Sequence, residues 1–211
     1  MPVKYLSTNI QLLMITTLSY ICAMLKDEVA KALKIVQAGG TILYPTDTIW
    51  GIGCDAANTE AIQKIYKLKQ RDEAKSMIIL LDTENKLESY ISEVNPLAYD
   101  LIEYAENPLT LVMPGAKNIS SALINSDGSV GIRVCKHPFC QQLIQRLRRP
   151  LVSTSANISG EASPQYFAQV AQEIIDGVDY VVDIDQHDME IKTPSTIMRL
   201  APDGKFEFIR R

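Results

Sequence analysis

Histidine and cysteine are scarce in this chain of 211 residues, which has two histidines and four cysteines. None of the cysteines stands in a C-x-x-C pair, and neither histidine completes a zinc-ligand spacing with them. The sequence therefore argues against a structural zinc site and against a disulfide framework. Four reduced thiols are typical of a cytoplasmic protein, which is the location we expect.

The common nucleotide and hydrolase motifs are absent as well. The chain has no G-x-x-x-x-G-K-[ST] phosphate loop and no G-x-G-x-x-G turn, and Gly51-Ile52-Gly53 alone is a weak sign of nucleotide binding. It also has no G-x-S-x-G nucleophile elbow, and neither histidine has a persuasive partner for a hydrolase triad. These absences argue against P-loop, Rossmann and serine-hydrolase chemistry.

An overall excess of positive charge is missing too, since the net charge is -4. A protein that binds nucleic acid mainly through charge is usually basic. Positive charge is instead local, because residues 128–160 contain Arg133, Lys136, Arg146, Arg148 and Arg149 without any Asp or Glu. This distribution favours a small polyanionic ligand such as a nucleotide.

Long hydrophobic runs are also lacking. Residues 10–25 are fairly apolar, but Thr16, Thr17 and Ser19 interrupt them and the run is too short to span a bilayer. We interpret residues 1–24 as an N-terminal extension, either a packed segment or the result of an over-early start with Met24 as the true one. We expect no membrane association.

Strands alternate with helices over the remaining residues 25–211. Helices are expected at residues 25–38, from Asn58 or Thr59, from Asn95-Pro96, at 137–147 and at 163–175. Strands are expected at 41–44, 77–81, 110–113, 130–134, 151–154, 180–183 and 196–200, and Asp203-Gly204 predicts a hairpin into a last strand. The pattern predicts one α/β domain, a twisted mixed sheet with flanking helices.

Four polar segments lie at the ends of predicted strands or helices, where open α/β sheets tend to bind ligands. They are Pro45-Thr46-Asp47-Thr48, Lys69-Gln70-Arg71 with Lys75, Ser153-Thr154-Ser155-Ala156-Asn157, and Pro194-Ser195-Thr196. Each has an ordinary structural interpretation by itself: a turn, a solvated helix end, or local side-chain caps. Trp50 and Tyr44, near the first segment, are candidates either for base stacking or for core packing.

In this order, the segments resemble the YrdC-type threonylcarbamoyl-AMP synthases over about residues 26–211. The strings that carry the resemblance are GGTILYPTDTIWGIGCD at 39–55, KLKQRDEAKSMIILL at 67–81, NPLTLVMPG at 107–115, VGIRVCKHP at 130–138, PLVSTSANISGEASP at 150–164 and PSTIMRL at 194–200. The family hallmark is K-x-R followed far downstream by S-x-N. Two positions depart from the family: Leu80 stands near a histidine of some longer relatives, and residues 105–110 read AENPLT instead of W-P-G-P-[LV]-T.

The resemblance implies a YrdC-like fold around a concave basic cavity that binds ATP and threonine side by side. The implied ATP-binding residues are Lys69, Arg71, Thr110, Ser155, Asn157, Ser163 and Arg210, with Lys69 and Arg71 also catalytic because they would hold the triphosphate. The implied threonine-binding residues are Thr46, Arg133, Ser153 and Ser195. No protein ligand to a metal is implied, and Mg²⁺ would be held mainly by the ATP phosphates.

The spacing of the two hallmark pairs adds a structural expectation. Lys69 and Arg71 are two residues apart and would not share a helical face, so the helix must stop near Leu68 if both reach one triphosphate. Ser155 and Asn157 have the same spacing, which in an extended segment points both side chains to one side. The two pairs would then approach ATP from opposite walls.

The implied reaction converts ATP, L-threonine and bicarbonate to threonylcarbamoyl-AMP and pyrophosphate, for threonylcarbamoyladenosine modification of tRNA. The implied downstream partner is the threonylcarbamoyl-transferase complex, with tRNA involved indirectly. Three alternatives stay open: a non-catalytic RNA-binding module using the same basic cavity, a carbamoyl-adenylate synthase, and a paralogue that kept the fold without this activity. Weak direct RNA binding is an open question beside the leading interpretation.

Overall fold

Nine strands form one mixed sheet, in the order β7-β1-β2-β6-β3-β5-β4-β8-β9. The computed structural model describes residues 20, 22–72 and 77–211, so Lys75 and most of the N-terminal extension lie outside the described residues. The strands are β1 (Ile42–Tyr44), β2 (Gly51–Gly53), β3 (Ile78–Leu81), β4 (Leu109–Pro114), β5 (Ser129–Val134), β6 (Leu151–Ser155), β7 (Tyr180–Val181), β8 (Thr196–Leu200) and β9 (Phe206–Arg210). The predicted mixed α/β sheet is confirmed.

The sheet contains both parallel and antiparallel strand pairs. The pairs β1–β7, β3–β5 and β4–β8 are parallel, whereas β1–β2, β2–β6, β3–β6, β4–β5 and β8–β9 are antiparallel. The last antiparallel pair is the hairpin predicted from Asp203-Gly204, in which Gly204 adopts a φ of 82°. Such a positive φ costs glycine little.

Six α-helices are described, and they cover both faces of the sheet. They are α1 (22–37), α2 (Thr59–Leu68), α3 (Leu87–Tyr90), α4 (Leu97–Glu103), α5 (Pro138–Leu147) and α6 (Gln172–Asp176). Helix α1 begins earlier than the predicted residue 25. Among the described residues, no helix combines the length and the apolar character that a membrane crossing requires.

Capping residues explain where the helices begin. The side chain of Asn58 accepts a hydrogen bond from the Ala61 amide at the start of α2, as predicted. Helix α5 starts at Pro138, and the preceding His137 accepts from the Phe139 amide through its Nδ1 atom. Proline suits a first helical position because the amide it lacks would have no partner inside the helix.

Two sequence predictions of local structure are wrong. Strand β2 was not predicted, because a three-residue Gly-Ile-Gly strand shows no alternation of apolar and polar side chains. Glycine is required at position 53, because a Cβ there would come within 2.1 Å of the Val152 carbonyl oxygen. The helix expected at 163–175 is replaced by a 3₁₀ turn at Phe167–Gln169 and the short α6. Apolar residues at helical spacing occur there, but the chain between them bends.

Apolar side chains on the two faces of the sheet form two core layers. Ile79 and Leu81 of β3 point into the larger layer, together with Ile62 and Ile65 of α2. Leu80 points the opposite way, into a layer that α1 and α5 complete with Val29, Val36, Leu143 and Ile144. This is the alternation expected for a strand that is buried on both faces.

Candidate functional site

The sheet face beneath α1 and α5 changes from apolar to polar along its strands. Leu80 of β3 pairs with Leu151 of β6, and both belong to the core layer of these helices. Two residues further along the same face, Ile78 pairs with Ser153. Since side chains at i and i+2 of a strand share a face, Ser153 and Ser155 lie beyond the helical layer.

A cavity of about 200 Å³ lies on this polar half of the face. Gly131 of β5 makes room there, since a Cβ on it would come within 2.9 Å of Ile78 Cγ2. Of the described residues that line the cavity, none is Asp or Glu. Eight predicted site residues line it: Arg71, Thr110, Arg133, Ser153, Ser155, Ser163, Ser195 and Arg210.

Three guanidinium groups set the electrostatic character of the cavity. Arg133 is buried, and Arg71 is half-buried. Burial lowers the pKa of Arg210, and the nearby positive charge of Arg133 lowers it further. Burial likewise lowers the pKa of Arg71. Guanidinium groups stay protonated in proteins, so the cavity concentrates positive charge and suits a ligand with several anionic oxygens.

The turn after β1 lies beside Arg133. The buried Thr46 Oγ1 lies 2.9 Å from Thr48 Oγ1 and donates to the Ile49 carbonyl oxygen at 2.8 Å. Arg133 Nη2 lies 3.5 Å from Thr46 Oγ1 and 3.4 Å from Asp47 Oδ1. Thr46 is not among the residues lining the cavity, whereas Arg133 and Ser153 both line it.

Residues from the two predicted subsites contact each other directly. Thr110 Oγ1, predicted for ATP, lies 2.8 Å from Ser195 Oγ, predicted for threonine. Arg210 Nη2, also predicted for ATP, donates to the Ser195 backbone carbonyl at 2.8 Å. The subsites therefore share a boundary at Ser195. The sequence does not show this proximity, because Thr110 and Ser195 are 85 positions apart in the chain.

The K-x-R segment leaves α2 where the sequence predicts. The helix ends at Leu68, and Gln70 adopts a φ of 49°, which turns the chain between Lys69 and Arg71. Arg71 lines the cavity, whereas the ammonium group of the buried Lys69 donates to the backbone carbonyls of Ser155 and Asn157. The expectation of opposite walls is therefore wrong for Lys69, which lies against the S-x-N backbone.

Burial also changes the acidity of this lysine. The pKa of Lys69 is lowered to about 8 by desolvation, with a smaller contribution from the positive charge of Arg71. A second backbone contact joins the two segments, since the Ser159 amide donates to the Lys69 carbonyl at 2.8 Å. In the described geometry Lys69 holds the S-x-N segment in place, and its contact with a triphosphate stays a prediction.

The S-x-N residues diverge instead of pointing to one side. Strand β6 ends at Ser155, which faces the cavity, and the chain then bends at residues 156 and 157. The side-chain Nδ2 of Asn157 donates to the backbone carbonyls of Ile158 and Glu161, while its buried Oδ1 has no hydrogen-bond partner among the described residues. An unpaired buried acceptor is costly, so it is a candidate contact for a donor that arrives with a ligand.

Several residues that sequence reasoning did not assign also line the cavity: Thr48, Ile49, Gly51, Met77, Ile78, Thr154, Pro194 and Ile197. All eight lie within the matching strings, which is the signal that would have found them, and Thr154 and Pro194 directly adjoin assigned residues. Trp50 lines the cavity and packs against Phe167, with ring centroids 4.8 Å apart. Tyr44 is fully buried and donates to the Val152 carbonyl, so core packing is its role.

Comparisons with known proteins bear on this site. Residues 34–211 match the family model Sua5_yciO_yrdC, which carries the description "Telomere recombination". A protein of Pseudoalteromonas translucida named threonylcarbamoyl-AMP synthase is 34% identical over 158 residues, which are 74% of this chain and 84% of that protein.

Two solved structures are similar in fold. Sua5 from P. abyssi, complexed with L-threonine, superposes with a TM-score of 0.72 at 26% identity and covers 82% of this chain. This chain matches 50% of that longer Sua5 chain. E. coli YciO has a TM-score of 0.76 at 23% identity, covering 87% of this chain and 88% of its own, and shows the fold alone.

Proposed function

Because the chain belongs to the Sua5/YciO/YrdC family, we propose that it is an L-threonylcarbamoyladenylate synthase, a nucleotidyltransferase that uses ATP, L-threonine and bicarbonate. The observation that carries the proposal is that Arg71, Arg133 and Arg210 line one cavity together with serine and threonine hydroxyls. Among the described residues that line this cavity, none carries a carboxylate. These side chains come from separate segments of the chain and meet only when it is folded.

The chemistry fits these residue types. The amine of threonine attacks CO₂ with loss of a proton, or bicarbonate with loss of water, to give a carbamate. A carbamate oxygen then attacks the α-phosphorus of ATP while the bond to pyrophosphate breaks. The step needs no protein nucleophile. It does need two anions held side by side, and positioning of this kind can contribute about 7–11 kcal/mol to lowering the barrier. Fixed cations that meet the negative charge of the departing pyrophosphate supply a further contribution.

Arg71 and Arg210 are the proposed cations on the ATP side. Both line the cavity; Arg71 is half-buried and would meet phosphate oxygens in a partly desolvated setting, whereas Arg210 is exposed and would meet them at the cavity rim. Ser155, Ser163 and Thr110 would donate hydroxyl hydrogen bonds. Lys69 would act on the same side, through the S-x-N backbone that it holds.

Arg133 is the proposed anchor of the threonine carboxylate. Its Nε is buried and lacks a hydrogen-bond partner among the described residues, so a donor is available within the cavity wall. Ser153 and Ser195 line the cavity beside it, and Thr46 contacts it. Support for threonine comes from the P. abyssi Sua5 complex, although that chain is twice as long as the part matched here.

The cavity is smaller than its proposed contents. Small-molecule sites typically enclose about 300–1,000 Å³, whereas this cavity holds about 200 Å³. A second groove of about 430 Å³ shares Arg71, Met77, Ile78 and Ile197 with it. We propose that part of the nucleotide extends beyond the cavity along this shared boundary.

Mg²⁺ is proposed to enter with the ATP phosphates. Carboxylate oxygens are the protein ligands that Mg²⁺ prefers, and the described lining of the cavity offers guanidinium and hydroxyl groups instead. Among the described residues, no group of three or more His, Cys, Asp or Glu side chains is arranged to hold a metal ion. The ion would supply charge neutralisation on the phosphate oxygens, and Arg71 and Arg210 would complete it.

The product is an acyl phosphate anhydride, so a downstream acceptor must consume it quickly. We propose that a threonylcarbamoyl-transferase complex takes it up and passes the group to tRNA, and that the protein works in the cytoplasm. The net charge of -4 argues against direct RNA binding as its main role.

A direct test is to incubate the protein with ATP, Mg²⁺, labelled bicarbonate and threonine. We expect pyrophosphate and a labelled adenylate to form together, and neither to form when threonine is omitted. Replacing bicarbonate and threonine by carbamoyl phosphate tests the alternative of carbamoyl-adenylate synthesis, which predicts adenylate formation under these conditions. Salt-sensitive RNA binding without any labelled adenylate would instead support the RNA-binding module and overturn the proposal.

A further inference from the structure

The carboxylate of Asp47 sits where the turn after β1 meets the end of β5. Its Oδ1 lies 3.4 Å from Arg133 Nη2 and accepts from the Cys135 thiol at 3.2 Å. Its Oδ2 accepts from the Lys136 backbone amide at 2.9 Å. One side chain thus contacts the guanidinium of Arg133 and the two residues that follow β5, and it is mostly shielded from solvent, with 14% of the side chain exposed.

These contacts bridge strands that are distant in the sheet. Strands β2, β6 and β3 separate β1 from β5, so the chain after β1 reaches Arg133 across the end of the sheet and not through strand pairing. The Cys140 thiol donates to the Pro45 carbonyl at 3.3 Å, which fixes the start of the same turn. The turn that carries Asp47 is therefore held by the end of β5 and by the helix that follows it.

Arg133 has few other partners to fix its orientation. Its Nη2 lies 3.5 Å from Thr46 Oγ1, and its Nε has no hydrogen-bond partner among the described residues. A long side chain with one nitrogen against a carboxylate loses much of its rotational freedom, while Nε remains available to a ligand. The same carboxylate partly compensates the cost of burying the guanidinium.

We propose that Asp47 is a positioning residue that aims the guanidinium of Arg133 at the carboxylate of the amino-acid substrate. The inference rests on the proposed function, because it acts through the threonine side of that site. Asp47 itself does not line the cavity, so it would act through Arg133. Its role is to hold one edge of Arg133 so that binding an amino acid does not have to order the side chain first.

The primary test measures threonine and ATP affinities by calorimetry for the wild type and for Asp47→Ala. We expect the threonine Kd to rise about 10-fold or more, as loss of a partner to a charged group implies, and the ATP Kd to change less than about twofold. Asp47→Asn, which keeps the shape, serves if the alanine variant does not fold, and should raise the threonine Kd as well. Equal loss of both affinities would mean a general structural role and would overturn the proposal.

Asp185→Ala is the matched control. Asp185 Oδ2 lies 2.9 Å from His137 Nε2, so this carboxylate also supports the connection between β5 and α5, but it does not contact Arg133. We expect its threonine Kd to match the wild type within about twofold. A rise equal to that of Asp47→Ala would assign the effect to the connection as a whole and refute a role through Arg133.

A double-mutant cycle with Arg133→Lys tests the mechanism of action. If Asp47 acts through the guanidinium fork, adding Asp47→Ala to Arg133→Lys should change the threonine Kd less than about twofold, whereas independent effects would multiply. Multiplying effects would sink the proposal. Failure of the proposed function looks different, since the wild type itself would then bind no threonine and form no labelled adenylate.

Discussion

Removing the guanidinium of Arg71 is the most direct way to test the ATP side of the cavity. Arg71 is half-buried in the cavity wall, and burial lowers its pKa, so its contacts to phosphate are less screened than those of a surface arginine. A hydrogen bond to a charged group contributes about 1.5–3 kcal/mol. Arg71→Ala should therefore weaken ATP binding about 10- to 100-fold, at tenfold per about 1.4 kcal/mol.

Thermal unfolding with and without ATP measures this effect. At an ATP concentration of about 100 times its Kd, the wild type gains about 2.7 kcal/mol of stability. At the same concentration, the variant should gain only about 0.4–1.4 kcal/mol. For a protein of this length, about 2–4 °C accompanies each kcal/mol, so the shift in Tm should fall from about 5–11 °C to about 1–6 °C.

Arg146→Ala provides the control for loss of an exposed arginine. Arg146 is exposed on α5 and lines neither the cavity nor the neighbouring groove. Its ATP-dependent shift in Tm should equal that of the wild type. If Arg71→Ala keeps the full shift, or if Arg146→Ala loses as much, the placement of phosphate beside Arg71 is refuted.

Three further predictions concern other parts of the chain. Asn157→Ala should lose most of the ATP-dependent shift in Tm while remaining folded at 25 °C, and the loss of its two side-chain hydrogen bonds should cost about 1–3 kcal/mol of stability. Urea unfolding with and without ATP measures the stability cost and the ATP effect, and a full ATP shift in the variant would contradict the prediction. A chain beginning at Met24 should stay soluble and form the adenylate at the wild-type rate, because Val29, Ala32 and Val36 supply the buried face of α1. If the shortened chain were inactive or insoluble, residues 1–23 would have to belong to the core. For Lys69, the folded-state pKa of about 8 lies below its unfolded value, so between these values the unfolded chain binds more protons and stability rises with pH. Relative to Lys69→Met, the wild type should therefore gain on the order of 1–3 kcal/mol in unfolding free energy between pH 7.5 and 10, and a pH-independent difference would speak against a buried ammonium.

Local patterns carried much of the fold. The caps at Asn58 and His137, the end of α2 at Leu68 and the hairpin at Gly204 follow from short-range chemistry, and the structure places them as predicted. Strand β2 was not predicted because its two glycines leave no alternating pattern of side chains. The expected helix at 163–175 failed because apolar spacing alone does not establish that the backbone between the apolar residues is helical.

The site shows the same division between residue choice and residue placement. The order of K-x-R, S-x-N and the hydroxyl-rich turns along the chain selected eight residues that line one cavity. Spacing within the motifs did not predict their orientation. Residues Lys69 and Arg71 separate at the positive φ of Gln70, so one is buried against the S-x-N backbone and the other faces the cavity.

The sequence by itself determined most of the helices and strands and which family motifs are present, because caps, turns and alternation depend on neighbours within a few positions. Only the tertiary structure decided that Thr110 meets Ser195, and that Asp47 reaches Arg133 across three intervening strands. Such contacts depend on sheet order and twist, which arise from packing the whole core. No spacing within a single segment encodes them, and the arrangement of the cavity therefore emerges only when all of its strands are in place.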